Sequence, residues 1–182
     1  AEVGQLLRDI DGYSGEFVTQ KAMQLLAYCF TRTVEIRFAK WDQFDFGEAL
    51  WRIPAELMKS REIHLVPLSR QVVQTLQEVR EQVGGSQFVL PSSISRSRAI
   101  SENTVTYALA RMGYKGRMTG HGFRTIASTL LNEQMYFDAA IEKQLAHKDP
   151  NQTRGAYNRA EYLPIRRQMM QDWADYLDQL KA

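Results

Sequence analysis

The chain reads as an α+β domain, mainly α-helical, with a small three-stranded antiparallel sheet on one side. Three observations predict this. Apolar residues recur at helical spacing over most of the 182 positions. Between about residues 41 and 67 that period gives way to short runs rich in aromatic and β-branched residues, separated by turn-like sequence. The chain has no internal repeat or low-complexity tract, and 44% hydrophobic with 24% charged residues is the makeup of an ordinary globular domain. One core, helical with a sheet at its side, is the simplest arrangement for this length.

The elements follow in order. Val3, Leu6, Leu7 and Ile10 predict a helix over 1–10, and Asp11-Gly12-Tyr13-Ser14-Gly15 predicts a turn. Phe17, Ala22, Leu25, Leu26, Cys29 and Phe30 place the next helix over about 16–30. Thr31-Arg32-Thr33 interrupts it, and Thr33 is the expected cap of a short helix to about Phe38. Strands are expected at 41–46, 50–53 and 62–67, with Gly47-Glu48 at a hairpin tip and Pro67 at the last strand's end. Helices resume at about 69–83, 102–112, 121–135, 138–146 and 162–180. Val83-Gly84-Gly85-Ser86 and the Ser- and Arg-rich stretch 91–98 are loops. Ile165, Met169, Met170, Trp173, Tyr176, Leu177 and Leu180 form one face of the last helix, which fits packing on its own core better than docking on a second protomer.

Composition narrows the class. Cys29 is the only cysteine, so there is no internal disulfide and no cysteine-based zinc site, which points to a reducing cytoplasm. Its apolar neighbours suit a buried small hydrophobe better than a catalytic thiol. No apolar run approaches the roughly 20 residues that span a bilayer, and no secretory signal is read. The chain begins at Ala1 and enters a helical pattern at once, so a domain from a longer protein is expected. Net charge is only +2, but residues 96–124 hold six basic groups against Glu102 alone. Arg96, Arg98, Lys115 and Arg117 in that segment are candidate DNA contacts, although charge alone fits a solvated surface as well.

The chemistry concentrates in the second half: His121-Gly122-Phe123-Arg124, then His147, then Tyr157. Ionising a phenol at neutral pH costs about 4 kcal/mol, which arginines and a histidine base nearby can supply. His121 and Arg124 share one face if a helix starts near His121, where free backbone N–H groups also favour an anion. Gly120 and Gly122 leave room for another chain's backbone. Arg32 lies in apolar surroundings three residues before Glu35; it either simply bridges that carboxylate or is held by it and aimed at a phosphate. Lys59 precedes the third strand; as a general acid it would protonate a leaving 5′ oxygen, and Arg61 competes for the role. His64, on the strand, is read as structural.

Each of these signals is weak alone. Together, in this order, they resemble the tyrosine recombinase (phage integrase) family over about residues 15–180, and integrases of prophages and genomic islands in particular. The stretches that carry the resemblance are Thr31-Arg32-Thr33-Val34-Glu35-Ile36 with Trp41; Met58-Lys59 with His64-Leu65-Val66-Pro67-Leu68; Thr119-Gly120-His121-Gly122-Phe123-Arg124; Leu145-Ala146-His147-Lys148-Asp149; and Ala156-Tyr157-Asn158-Arg159-Ala160-Glu161-Tyr162. The resemblance implies that residues 1–182 are a C-terminal catalytic domain, the arm-binding and core-binding domains lying outside this chain. It implies that Arg32 and Arg124 grip the scissile phosphate and that Lys59 is the general acid. His121 would bind the phosphate or act as base, and His147 would donate to a non-bridging oxygen. Tyr157 would attack, leaving a 3′-phosphotyrosyl link; Tyr162 matches the nucleophile position less well. Rejoining would need no metal, cofactor or ATP, in keeping with the absence of a G-x-x-x-x-G-K segment. The implied partners are double-stranded DNA attachment sites, a homotetramer in synapsis with a monomer as the isolated domain, and an accessory directionality factor, with no membrane. The implied location is the cytoplasm of a bacterial or phage-infected cell.

Three other functions compete at this level. A type IB topoisomerase shares the nucleophile but needs no paired sites. A metal-dependent nuclease or transposase would draw on Asp42, Asp45, Glu48 and Glu56. An inactive DNA-binding module would retain the fold alone, although all the catalytic residue types are present.

Overall fold

The second helix is apolar around most of its circumference, and such a helix belongs at the centre of a domain. In the computed structural model, which describes residues 2–148 and 161–182, it does lie there. α2 (Phe17–Cys29) buries residues from Thr19 to Cys29. α1 (Glu2–Asp11), α4 (Arg70–Val83), α5 (Thr104–Leu109), α6 (Gly122–Glu133) and α8 (Leu163–Lys181) all pack on it. α3 (Thr33–Arg37) and α7 (Asp138–Gln144) are short and stand beside its C-terminal end and α6 respectively. Cys29 is fully enclosed, and burial pushes its thiol up to about 12, so it behaves as the small hydrophobe expected.

The sheet is an antiparallel meander, β1 (Phe44–Asp45), β2 (Leu50–Ile53) and β3 (His64–Pro67), in that order. Trp51 pairs with Val66 and Ile53 with His64. Trp51 stacks on Phe44 at 5.2 Å, and Arg80 of α4 lies over the Trp41 ring at 4.5 Å, pinning the hairpin to the helices. The first strand is shorter than expected: residues 41–43 form a 3-10 turn, and only Phe44 and Asp45 join the ladder. Aromatic composition alone had marked 41–46 as strand, whereas these rings serve packing.

Two other elements also depart from the sequence reading. The helix expected over 102–112 is regular only to Leu109, then widens into a π-turn over Ala110–Tyr114. Gly113 closes that turn at φ +91°, a conformation that favours glycine. Arg32, rather than Thr33, is the N-cap of α3, and the Glu35 carboxylate accepts the Arg32 backbone N–H at 2.9 Å.

α8 packs on its own chain, against α1, α2, α7 and β3. Trp173 is 1% exposed, meets Phe30 edge-on at 6.0 Å and donates from its indole N–H to Ala27 O at 3.0 Å. Ile165, placed on the inward face by the sequence, is 43% exposed; Arg166 is buried in its stead. Arg166 fits the same stripe as Met169, Met170, Trp173 and Leu177. No helix among the described residues is long and apolar enough to cross a membrane.

Candidate active site

α2 ends because Phe30 turns left-handed (φ +40°), its N–H bonding back to Leu26 O at 2.9 Å. Two residues later the chain enters α3, so Arg32 sits at the mouth of this reversal. Its Nη1 donates to Glu35 Oε1 at 3.2 Å. Glu35 is 1% exposed while the Arg32 side chain remains partly open to solvent. A buried carboxylate thus holds a guanidinium that still faces outward.

Arg124 comes from the first turn of α6 and is buried. Its Nη1 donates to Phe30 O at 2.9 Å and its Nη2 to Leu145 O at 2.6 Å. Both acceptors lie at helix C-terminal ends, of α2 and α7, where the dipole favours a cation. Its Nε is buried without an acceptor among the described residues. Burial lowers the Arg124 pKa, the nearby Arg32 charge adds to this, and Glu35 opposes it. An arginine nonetheless stays ionised. The two arginines the sequence singled out therefore stand within each other's field, with Glu35 between them in charge.

Gly120 makes this approach feasible. A Cβ there would lie 2.5 Å from Thr33 Oγ1, so the 119–122 turn can sit against α3 only without a side chain. Gly122 likewise faces Met118 of the same chain. At both positions an added side chain would meet atoms of this chain. His121 is the exposed N-cap of α6. The Gly122 N–H is taken by Thr119, at 3.0 Å to its carbonyl and 3.3 Å to its hydroxyl.

His147 follows the end of α7. Ala146 is left-handed at φ +54°, and the His147 N–H donates to Glu142 O at 3.1 Å. The ring's Nδ1 is 2.7 Å from Glu142 Oε2. Because Arg124 grips Leu145 O, two residues earlier, His147 is joined to the arginine site through one turn of backbone.

The start of β3 is sewn to the same place. His64 is buried, its Nε2 3.1 Å from Gln144 O. Burial lowers its pKa to about 3, with Arg166, Lys143 and Arg124 adding to the effect, so it is a neutral structural residue as expected. Arg166 donates to Gln144 Oε1 at 3.0 Å, to Glu161 O at 3.0 Å and to Leu65 O. Burial pulls its pKa down to about 10 and Glu161 opposes this, so it remains charged at neutral pH. Lys143 pairs with Glu161 at 3.3 Å. Sequence reasoning missed Glu142, Gln144 and Arg166; only Arg166 left a signal, through its place in the α8 stripe.

Lys59 is exposed in the connection before β3, beside Arg61, and joins none of the contacts above. Tyr157 lies outside the described residues. Tyr162 is half-buried and packs its ring edge-on to Phe137 at 5.6 Å. Of the DNA-contact candidates, Arg98, Lys115 and Arg117 are exposed, Arg117 lying over the Tyr114 ring at 5.5 Å. Arg96 is exposed too, but its Nη1 turns back to Gly84 O at 2.8 Å. Among the described residues no three His, Cys, Asp or Glu side chains form a group able to hold a metal ion.

The profile of the phage integrase family matches residues 1–163. The chain is 42% identical over 190 residues to the integrase of Enterobacteria phage P4, covering 96% of this chain and 43% of that protein. It is 42% identical to the prophage integrase IntS of Escherichia coli (strain K12), covering 92% of this chain and 44% of that protein. Among solved structures it resembles a lambda integrase dimer bound to a COC′ core site, with a TM-score of 0.63 at 18% identity over 83% of this chain and 57% of that one. It also resembles XerA recombinase, with a TM-score of 0.63 at 17% identity over 92% of this chain and 63% of that one. The chain belongs to the phage integrase family. It spans less than half the length of the two integrases it matches.

Proposed function

We propose that this chain is the C-terminal catalytic domain of a site-specific DNA recombinase, acting through a 3′-phosphotyrosyl intermediate to integrate or excise a prophage or genomic island. The observation that carries the reading is that Arg32, paired with the buried Glu35, stands in the electrostatic field of the buried Arg124. Two guanidiniums against one carboxylate leave a net positive charge. A phosphodiester offsets that charge, and the pentacovalent transition state, carrying more negative charge, offsets it further.

The chemistry runs on the chain's own groups. The phenol oxygen of Tyr157 bonds to the scissile phosphorus and its proton leaves. The bond to the 5′ oxygen breaks, and Lys59 protonates that oxygen. Arg32, Arg124 and His147 hold the non-bridging oxygens; His121 binds the phosphate or takes the phenol proton. One phosphodiester replaces another, so a second strand's 5′-hydroxyl reverses the step without ATP.

The relatives' names and the neighbours' titles support the choice of partner. Lambda integrase is recorded as a dimer on a core site and as a tetramer on a Holliday junction. We carry this over as binding of double-stranded attachment sites and a tetramer in synapsis; a monomer for this domain alone, an accessory directionality factor and the cytoplasm of a bacterial cell complete the proposal on the chain's own sequence reading.

A nicked suicide substrate carrying the attachment core tests the reading. In EDTA the wild type should form a covalent DNA adduct on a denaturing gel, and Tyr157→Phe should form none. Arg32→Ala or Arg124→Ala should slow adduct formation by about 10²–10³. An adduct that survives Tyr157→Phe but not Tyr162→Phe contradicts the assignment of the nucleophile. A requirement for divalent metal contradicts the chemistry.

A further inference from the structure

We infer that Glu142 is a positioning residue for His147, fixing the orientation and proton placement of its ring so that Nε2 is presented to the substrate phosphate. The inference rests on the proposed role of His147 as a phosphate ligand.

α7 ends in a Schellman turn: the His147 N–H donates to Glu142 O at 3.1 Å and the Ala146 N–H to Lys143 O at 3.0 Å, with Ala146 left-handed at φ +54°. On a continuing helix, residues five apart point about 140° away from each other. The left-handed turn folds the chain back and sets the Glu142 and His147 side chains together, Oε2 and Nδ1 being 2.7 Å apart.

An ionised carboxylate only accepts, so Nδ1 must carry the proton in this contact. The ring is then held in one orientation, and Nε2 is the nitrogen left for a substrate. In the imidazolium form both nitrogens donate at once, one to Glu142 and the other to a non-bridging oxygen.

By exposure the pair is an ordinary surface contact: the side chains of His147 and Glu142 are 46% and 54% exposed, so it adds little to stability. Its place sets it apart, because it stands on the turn that Arg124 grips through Leu145 O. Arg124 fixes where the turn lies relative to the two arginines; Glu142 fixes which way the ring at its end faces.

The test measures single-turnover adduct formation for the wild type, His147→Ala, Glu142→Ala, Glu142→Gln and the double alanine variant. Imidazole ¹⁵N shifts of His147 are recorded alongside. Glu142→Ala should be about tenfold or more slower than wild type, with a melting temperature within about 4 °C of it. Glu142→Gln should recover most of the rate, because its amide oxygen still accepts from Nδ1–H. The double variant should be no slower than His147→Ala, since Glu142 acts only through that ring. The ¹⁵N signature of a protonated Nδ1 should be present in the wild type and lost in Glu142→Ala.

A slow His147→Ala beside a wild-type rate for Glu142→Ala overturns the inference and leaves the proposed function standing. So does a double variant slower than His147→Ala, or a Glu142→Gln as slow as Glu142→Ala. A wild-type rate for His147→Ala overturns both the inference and the role given to His147.

Discussion

Arg124 joins the ends of two helices while standing in the field of a second arginine. Lysine carries its donors on a single nitrogen, so Arg124→Lys loses the planar fork that serves Phe30 O and Leu145 O from two separate nitrogens. Hydrogen bonds to charged groups contribute about 1.5–3 kcal/mol each. Arg124→Lys should therefore lower the melting temperature by about 3–12 °C and slow adduct formation, both measurable on one preparation. His64 gives a second prediction at this scale. Its folded pKa, lowered to about 3 by burial, lies below the unfolded value of 6.5. Between those values the unfolded chain binds the extra proton, so stability rises with pH. It is fully present above about 6.5 and is lost as pH falls toward 3. Unfolding free energies from urea titrations should carry a slope of up to about 1.4 kcal/mol per pH unit from His64 in that window, and His64→Gln should remove that part of it.

At the scale of elements, two turns decide the geometry. Gly120→Ala would drive a Cβ into Thr33 Oγ1. It should cost about 1–3 kcal/mol and slow adduct formation, because α3 carries Arg32. Ala146→Gly relieves the left-handed strain at φ +54° and should raise the melting temperature. These turns also explain what the sequence could and could not reveal. α1, α4 and α8 were legible because their apolar periodicity is regular, and α2 because its apolar residues run nearly all round it. β1 was misjudged because aromatic rings serve packing and pairing equally, and the helix from 104 because Gly113 widens its last turn. The residue types at Arg32, His121, Arg124 and His147 could be read off. The Glu142–His147 contact could not, since it exists only once the end of α7 folds back. Arg166 was hidden because arginine is rarely buried, yet its spacing matched the buried stripe.

At the scale of the molecule, the site joins distant parts of the chain: the end of α2, the starts of α3 and α6, and the end of α7. Arg166 extends the connection to α8 and β3. Through Arg166 and Trp173, α8 holds in place the elements that carry the proposed site. Trp173→Ala should cost about 3–5 kcal/mol and lower the urea midpoint accordingly. DNA binding should weaken steeply with salt, and removing a phosphate contact lowers the log–log slope by about 0.9. Arg98→Ala, Lys115→Ala and Arg117→Ala should each reduce it by that amount. Arg96→Ala should have a smaller effect, since its guanidinium already serves Gly84 O.

The central claim is that Tyr157 carries the DNA, and the chain itself makes this simple to test. Trypsin cuts after Arg154, Arg159 and Arg166, leaving Tyr157 in Gly155–Arg159 and Tyr162 in Ala160–Arg166. Mass spectrometry of the nuclease-trimmed, trypsin-digested adduct should find a nucleotide 3′-phosphate on the peptide containing Tyr157. Finding it on the peptide containing Tyr162, or on no tyrosine, would contradict the account.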